Sequence, residues 1–177
     1  RDAQESRGLG DVYKRQILKM GTLRESGLRG FGDLLDSINT DKQLSRDVYS
    51  SLVQSTSTEG GAARIGQLLS NVRKDSKITA SVLNFLVDNT KDPAGLRDFG
   101  TMTGRMSKDP DASSALVRSL GSAASREAPA SALGKLMGNL RADKDTSGEF
   151  LSMLSSSATK REGQMGLRDM FLSLIHI

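Results

Sequence analysis

The sequence predicts an all-α protein: an array of about four 34-residue helix–turn–helix repeats, cut at both ends. Three observations carry that expectation. A ladder of apolar residues recurs every 34 positions without a gap. Within each unit the apolar spacing follows the 3.6-residue period of a helix. An aspartate stands between the two helical patterns of every unit, and in the third unit proline follows it directly.

The ladder begins with Phe31, Ile65, Phe99 and Leu133, each followed by glycine at 32, 66, 100 and 134. Leu34, Leu68, Met102 and Leu136 come next, then Ile38, Val72, Met106 and Leu140. These positions lie at i, i+3 and i+7 on one stripe of a first helix, with Leu35 adding i+4 in the first unit. The second helix repeats Val48, Val82, Leu116 and Phe150, then Leu52, Leu86, Leu120 and Leu154. Asp41, Asp75, Asp109 and Asp143 sit between the two, where a carboxylate can cap the free N–H groups of the second helix. Pro110 after Asp109 fits the first helical position, and Asp92-Pro93 marks the same kind of start for a first helix. Each unit reads as a helical hairpin, with helices expected near 27–38, 42–56, 60–73, 76–89, 93–107, 110–124, 127–141 and 144–158. Leu34, Leu52, Leu68, Val82, Leu86, Phe99, Leu116, Leu120, Leu136, Phe150 and Leu154 are expected inside. One glycine per first helix, at a cost of up to ~1 kcal/mol each, predicts close helix–helix approach.

The four units span about 27–60, 61–94, 95–128 and 129–165. Leu18 lies 34 before Leu52, so 17–26 reads as the end of a preceding repeat. Gly166-Leu167-Arg168-Asp169 matches Gly95-Leu96-Arg97-Asp98, so 166–171 reads as the start of a fifth. The two ends belong to something else. Asp11 to Gln16 can be encoded by GAT GTG TAT AAG AGA CAG, whose reverse complement translates as Leu172 to Ile177. Two unrelated protein ends have no physical reason to be antisense to each other. The string resembles the inverted mosaic end of tagmentation sequencing libraries, and Ser6 to Gly10 fits the adapter upstream of it. Residues 1–16 and 172–177 are therefore expected to be translated adapter and are set aside from fold reasoning. Cut ends would expose Leu28 and Phe31 on one side, and Met165, Leu167, Met170 and Phe171 on the other.

Setting the ends aside removes the only histidine, His176. The basic and acidic counts of 25 and 21 lose four and three residues, leaving 21 and 18, a mild balance of +3. Such a charge does not favour nucleic acid as a partner. Cysteine and tryptophan are absent, so there is no disulfide framework, no thiolate ligand, and nothing that restricts the compartment. No apolar run reaches the ~20 residues of a membrane helix.

A 34-residue helix–turn–helix unit with an apolar-glycine step at Phe31-Gly32, Ile65-Gly66, Phe99-Gly100 and Leu133-Gly134 resembles the tetratricopeptide repeat and, more broadly, the α-solenoid hairpin arrays. Leu28, Ala62, Leu96 and Ala130 stand where that family carries tryptophan. The resemblance implies a scaffold that binds a protein or peptide. Fold by itself does not establish such a role.

Candidate chemistry is sparse. Asp143-Lys144-Asp145-Thr146-Ser147-Gly148 resembles the opening of a calcium-binding EF-hand loop, but its twelfth position is Leu154 and not a glutamate. Helix capping explains that aspartate and its three counterparts together. With no histidine or cysteine, the familiar nucleophile–base arrangements have no parts. Asp33 and Asp36 read as a solvated helix face. A weak basic edge runs through Arg73, Lys74, Arg105, Lys108, Arg141 and Lys144 near the turns, where cations also complement a helix dipole. No aromatic residues interleave with it for base stacking. The expectation is a non-enzymatic scaffold without cofactor or metal that takes a protein or peptide, with neither a small molecule nor nucleic acid favoured. The alternative is a structural spacer, ruler or tape-measure segment. A binding groove would make the non-core row Ser37, Asn71, Arg105 and Asn139 alike in character; the row is polar but mixed.

Overall fold

The structure, a computed structural model, describes residues 27–167. Among the described residues there are nine helices and no strand. They are α1 over 27–38, α2 Lys42–Thr56, α3 Gly61–Val72, α4 Ser76–Thr90, α5 Pro93–Met106, α6 Pro110–Ala124, α7 Glu127–Arg141, α8 Lys144–Ser157 and α9 over 161–167. Each expected helix is present, with ends within a residue or two of the expected ones. The expected adapter segments, the stretch 17–26 and the fifth-unit residues beyond 167 lie outside the described residues.

Two kinds of corner alternate along the chain. In the corners α1–α2, α3–α4, α5–α6 and α7–α8, an aspartate caps the incoming helix. Asp41 accepts from the Gln43 and Leu44 N–H groups, Asp75 from Lys77 and Ile78, Asp109 from Asp111 and Ala112, and Asp143 from Thr146. Four residues on, a hydroxyl reaches back to the last carbonyl turn of the outgoing helix. Ser45 donates to Ile38 O at 2.7 Å, Thr79 to Val72 O at 2.9 Å, Ser113 to Met106 O at 2.8 Å, and Ser147 to Leu140 O. One short side chain thus satisfies orphan N–H groups, and another adds a second donor to a carbonyl that already accepts from the aspartate's own N–H.

The other corners rest on close backbone approach. A Cβ on Gly61 would lie 1.8 Å from Ser55 O, on Gly95 2.2 Å from Asn89 O, and on Gly163 1.9 Å from Ser157 O. Pro129 takes this place in α7. Before α3, Gly60 at φ +71° occupies the left-handed region that glycine alone adopts cheaply. Gly163 stands 68 residues, two periods, after Gly95. The helix over 161–167 therefore starts before the fifth-unit start expected at Gly166, and keeps the period without an insertion.

The packing differs from consecutive hairpins. Successive helices meet mainly at their corners, whereas each helix lies most extensively against the helix three further on: α2 on α5, α3 on α6, α4 on α7 and α5 on α8. Ile78 of α4 lies against Gly32 of α1, and Gly166 of α9 against Val117 and Gly121 of α6, in the same relation. The helices thus form three stacks, with three helices to a turn. From α4 onward they start at Ser76, Pro93, Pro110, Glu127 and Lys144, 17 residues apart, so one turn consumes 51 residues. The two apolar sets of the ladder are one set: Phe31, Val48, Ile65, Val82, Phe99, Leu116, Leu133 and Phe150 are each 17 apart. The 34-residue period arises because the two kinds of corner alternate.

The core runs along the axis enclosed by the stacks. Val82, Leu86, Phe99, Leu116, Leu120, Leu136, Phe150 and Leu154 are buried as expected. Leu34 is instead 47 % exposed, and Leu52 and Leu68 are half-buried. These three belong to α1, α2 and α3, the first turn described, on which the described helices stack from one side only. Leu35, Ile38 and Tyr49 carry the core there. An aromatic column follows the second stack. Tyr49 of α2 lies over Phe99 of α5 at 6.3 Å between ring centroids, and Phe99 against Phe150 of α8 at 6.1 Å.

Candidate functional site

Most of the polar side chains singled out in the sequence are used in building the array. The four capping aspartates face helix N-termini. The Thr146 N–H, with help from the distant Arg97 charge, holds the Asp143 carboxyl below the usual carboxylate range. Asp92, the cap of α5, is held down likewise by the Gly95 N–H and by Arg46, which reaches it across the turn at 2.7 Å. The calcium-like loop is a corner: Asp143 caps α8 and Leu154 is buried in the core. Among the described residues no three histidine, cysteine or acidic side chains gather as a metal site requires. None of the described helices is long and apolar enough to cross a membrane.

The structure divides the basic edge. Lys74, Lys108, Arg141 and Lys144 are exposed at the corners, and Arg73 is half-buried. Arg105 turns into the array and donates to Val53 O, one turn away, at 3.2 Å. Asn139 does the same 34 residues on, donating to Thr90 Oγ1 at 3.1 Å and to Val87 O at 3.4 Å. Two members of the mixed polar row are therefore turn-to-turn braces. Ser119 on Leu69 O and Thr146 on Leu96 O are further braces, both across 50 residues. Sequence reading missed them because their partners are main-chain carbonyls, which leave no trace in residue type. The recurring hydroxyls at 45, 79, 113 and 147 were a readable signal.

What remains for a partner is the edge of the stacks. Gly100 and Gly104 of α5 are covered by α8. A Cβ on Gly100 would meet Thr146 Oγ1 at 2.8 Å, and one on Gly104 the Glu149 carboxylate at 2.9 Å. Burial, together with Asp145 and Asp143 nearby, raises Glu149 above its ordinary value. Gly134 and Gly138 of α7 repeat that pair 34 residues on, and none of the described residues lies within 4 Å of a Cβ on either. At the other edge a cleft between α2 and α3 is lined by Gln54, Arg64, Ile65 and Leu68. Adding 51 to those numbers gives Arg105, Ala115, Leu116 and Ser119, which lie one turn further into the array. There Arg105 and Ser119 bond to α2 and α3. The large apolar side chains most exposed among the described residues sit on the outer turns: Leu34 and Leu44 on α1 and α2, Leu151 and Met165 on α8 and α9.

Fold and edges together define an all-helical array, a three-sided stack whose end turns carry helix faces that none of the described residues covers. Among known proteins no family matches the chain, and no characterised protein or solved structure matches it.

Proposed function

We propose that the protein is a non-enzymatic helical scaffold that takes a helical segment of a protein partner onto its uncovered end faces. The observation that carries this reading is the pair Gly134 and Gly138 on α7, open among the described residues, where the same pair on α5 has a helix seated on it. Internal turns thus display the mode of recognition: a helix laid along a helix, with glycine permitting close approach and braces reaching main-chain carbonyls. The tetratricopeptide likeness supports a protein-binding role through its unit length, while the packing of each helix on the third one along favours a three-sided array over stacked hairpins. A labelled peptide of residues 76–90, whose Ile78 packs on Gly32, tests it. Saturable binding to the chain, abolished by Gly134→Arg, supports the scaffold. Binding that ignores Gly134→Arg, or no binding, overturns it.

The spacer reading draws on a different observation. Arg105 and Asn139, from the row that would line a groove, are consumed by braces, leaving an array that repeats every 51 residues. In either reading, residues 1–16 and 172–177 are taken as translated adapter, on the strength of their antisense relation. Resequencing the gene from unfragmented DNA tests that, since native tails would reappear unchanged.

A further inference from the structure

We draw no further inference here: the strongest candidate, the polar cleft between the α1–α2 and α4–α5 corners lined by Asn39, Lys42, Arg46, Asp88, Lys91 and Asp92, carries nothing, because Arg46 and Lys91 are already paired with Asp92 and Asp88 and nothing in the structure shows what would fill it.

Discussion

Glycine shows the logic of single residues here, because two glycines with the same place in the sequence pattern have opposite surroundings. A Cβ on Gly66 would lie 2.5 Å from Ala112 Cα and force two backbones apart. Gly66→Ala is expected to cost about 1–3 kcal/mol, the usual range for overpacking. Gly134→Ala meets none of the described residues within 4 Å. It should stabilise by up to ~1 kcal/mol through helix propensity alone. Urea denaturation of the two variants reads the contrast, and equal effects would contradict the packing. Charge is governed equally locally. Asp92 and Asp143 have lowered folded values, so the stability they contribute is present above the ordinary carboxylate pKa. It is lost as pH falls through the lowered values. Glu149 has the opposite sign, driven first by burial. Its contribution is present below its unfolded pKa and lost as pH rises through the raised folded value. Glu149→Gln should therefore stabilise the protein at neutral pH, with the gain shrinking toward acid. A gain that grows on acidification would reverse the assignment. Tyr49, whose hydroxyl is buried near Asp98 without a hydrogen-bond partner among the described residues, has its pKa pushed well up by desolvation. Tyr49→Phe is expected to be neutral or stabilising by about 1 kcal/mol, since it removes an unsatisfied buried group.

At the scale of elements, the helices were readable because local rules fix them. Apolar spacing set their faces, Asp-Pro steps set the starts of α5 and α6, and aspartate caps those of α2, α4 and α8, whereas α3 and α7 start without a side-chain cap. The corners were half readable. Capping aspartates leave a residue-type signature, whereas the hydroxyls of Ser45, Thr79, Ser113 and Ser147 bond to main-chain carbonyls seven residues back. The two devices act on the same corner and can be separated. Asp109→Ala should cost about 1 kcal/mol through the cap. Ser113→Ala removes one of two donors to Met106 O, which keeps the Asp109 N–H, and should cost about 0.5–1.5 kcal/mol. Thermal or urea unfolding of the two single variants and the double variant measures the coupling between them. A Ser113→Ala variant as stable as the parent would remove the hydroxyl from the account of the corner. Burial was misread in one place for a physical reason. Leu34 matches Phe85 and Leu136, which lie one and two turns on, in ladder position, but those two are buried whereas Leu34 lies on the first helix described, with Leu35 and Ile38 facing the core instead.

For the whole molecule, the sequence announced a repeat without announcing how repeats stack. A 34-residue period is compatible with hairpins packed side by side, and the corners do alternate with that period. The packing period is instead 51, because three helices make a turn. Its marks are bonds that span 46 to 52 residues: Arg46 to Asp92, Ser119 to Leu69 O, Arg105 to Val53 O and Asn139 to Thr90. None of these pairs could be read from composition or helical periodicity, since each joins residues whose types recur elsewhere at random. The candidate binding edges were unreadable for the same reason, because Gly134 differs from Gly100 only in what lies above it. The central claim, that helix packs on the third helix along, is tested most directly by disulfide trapping in this cysteine-free chain. Ser50→Cys with Asp98→Cys joins α2 to α5 where the side chains now touch at 3.1 Å. Ser50→Cys with Asn84→Cys joins positions 34 apart, which side-by-side hairpins would bring together. Three helices to a turn predicts rapid, near-complete closure of the first pair in dilute monomer, with little of the second. Closure of the 50–84 pair while the 50–98 pair stays reduced would contradict it.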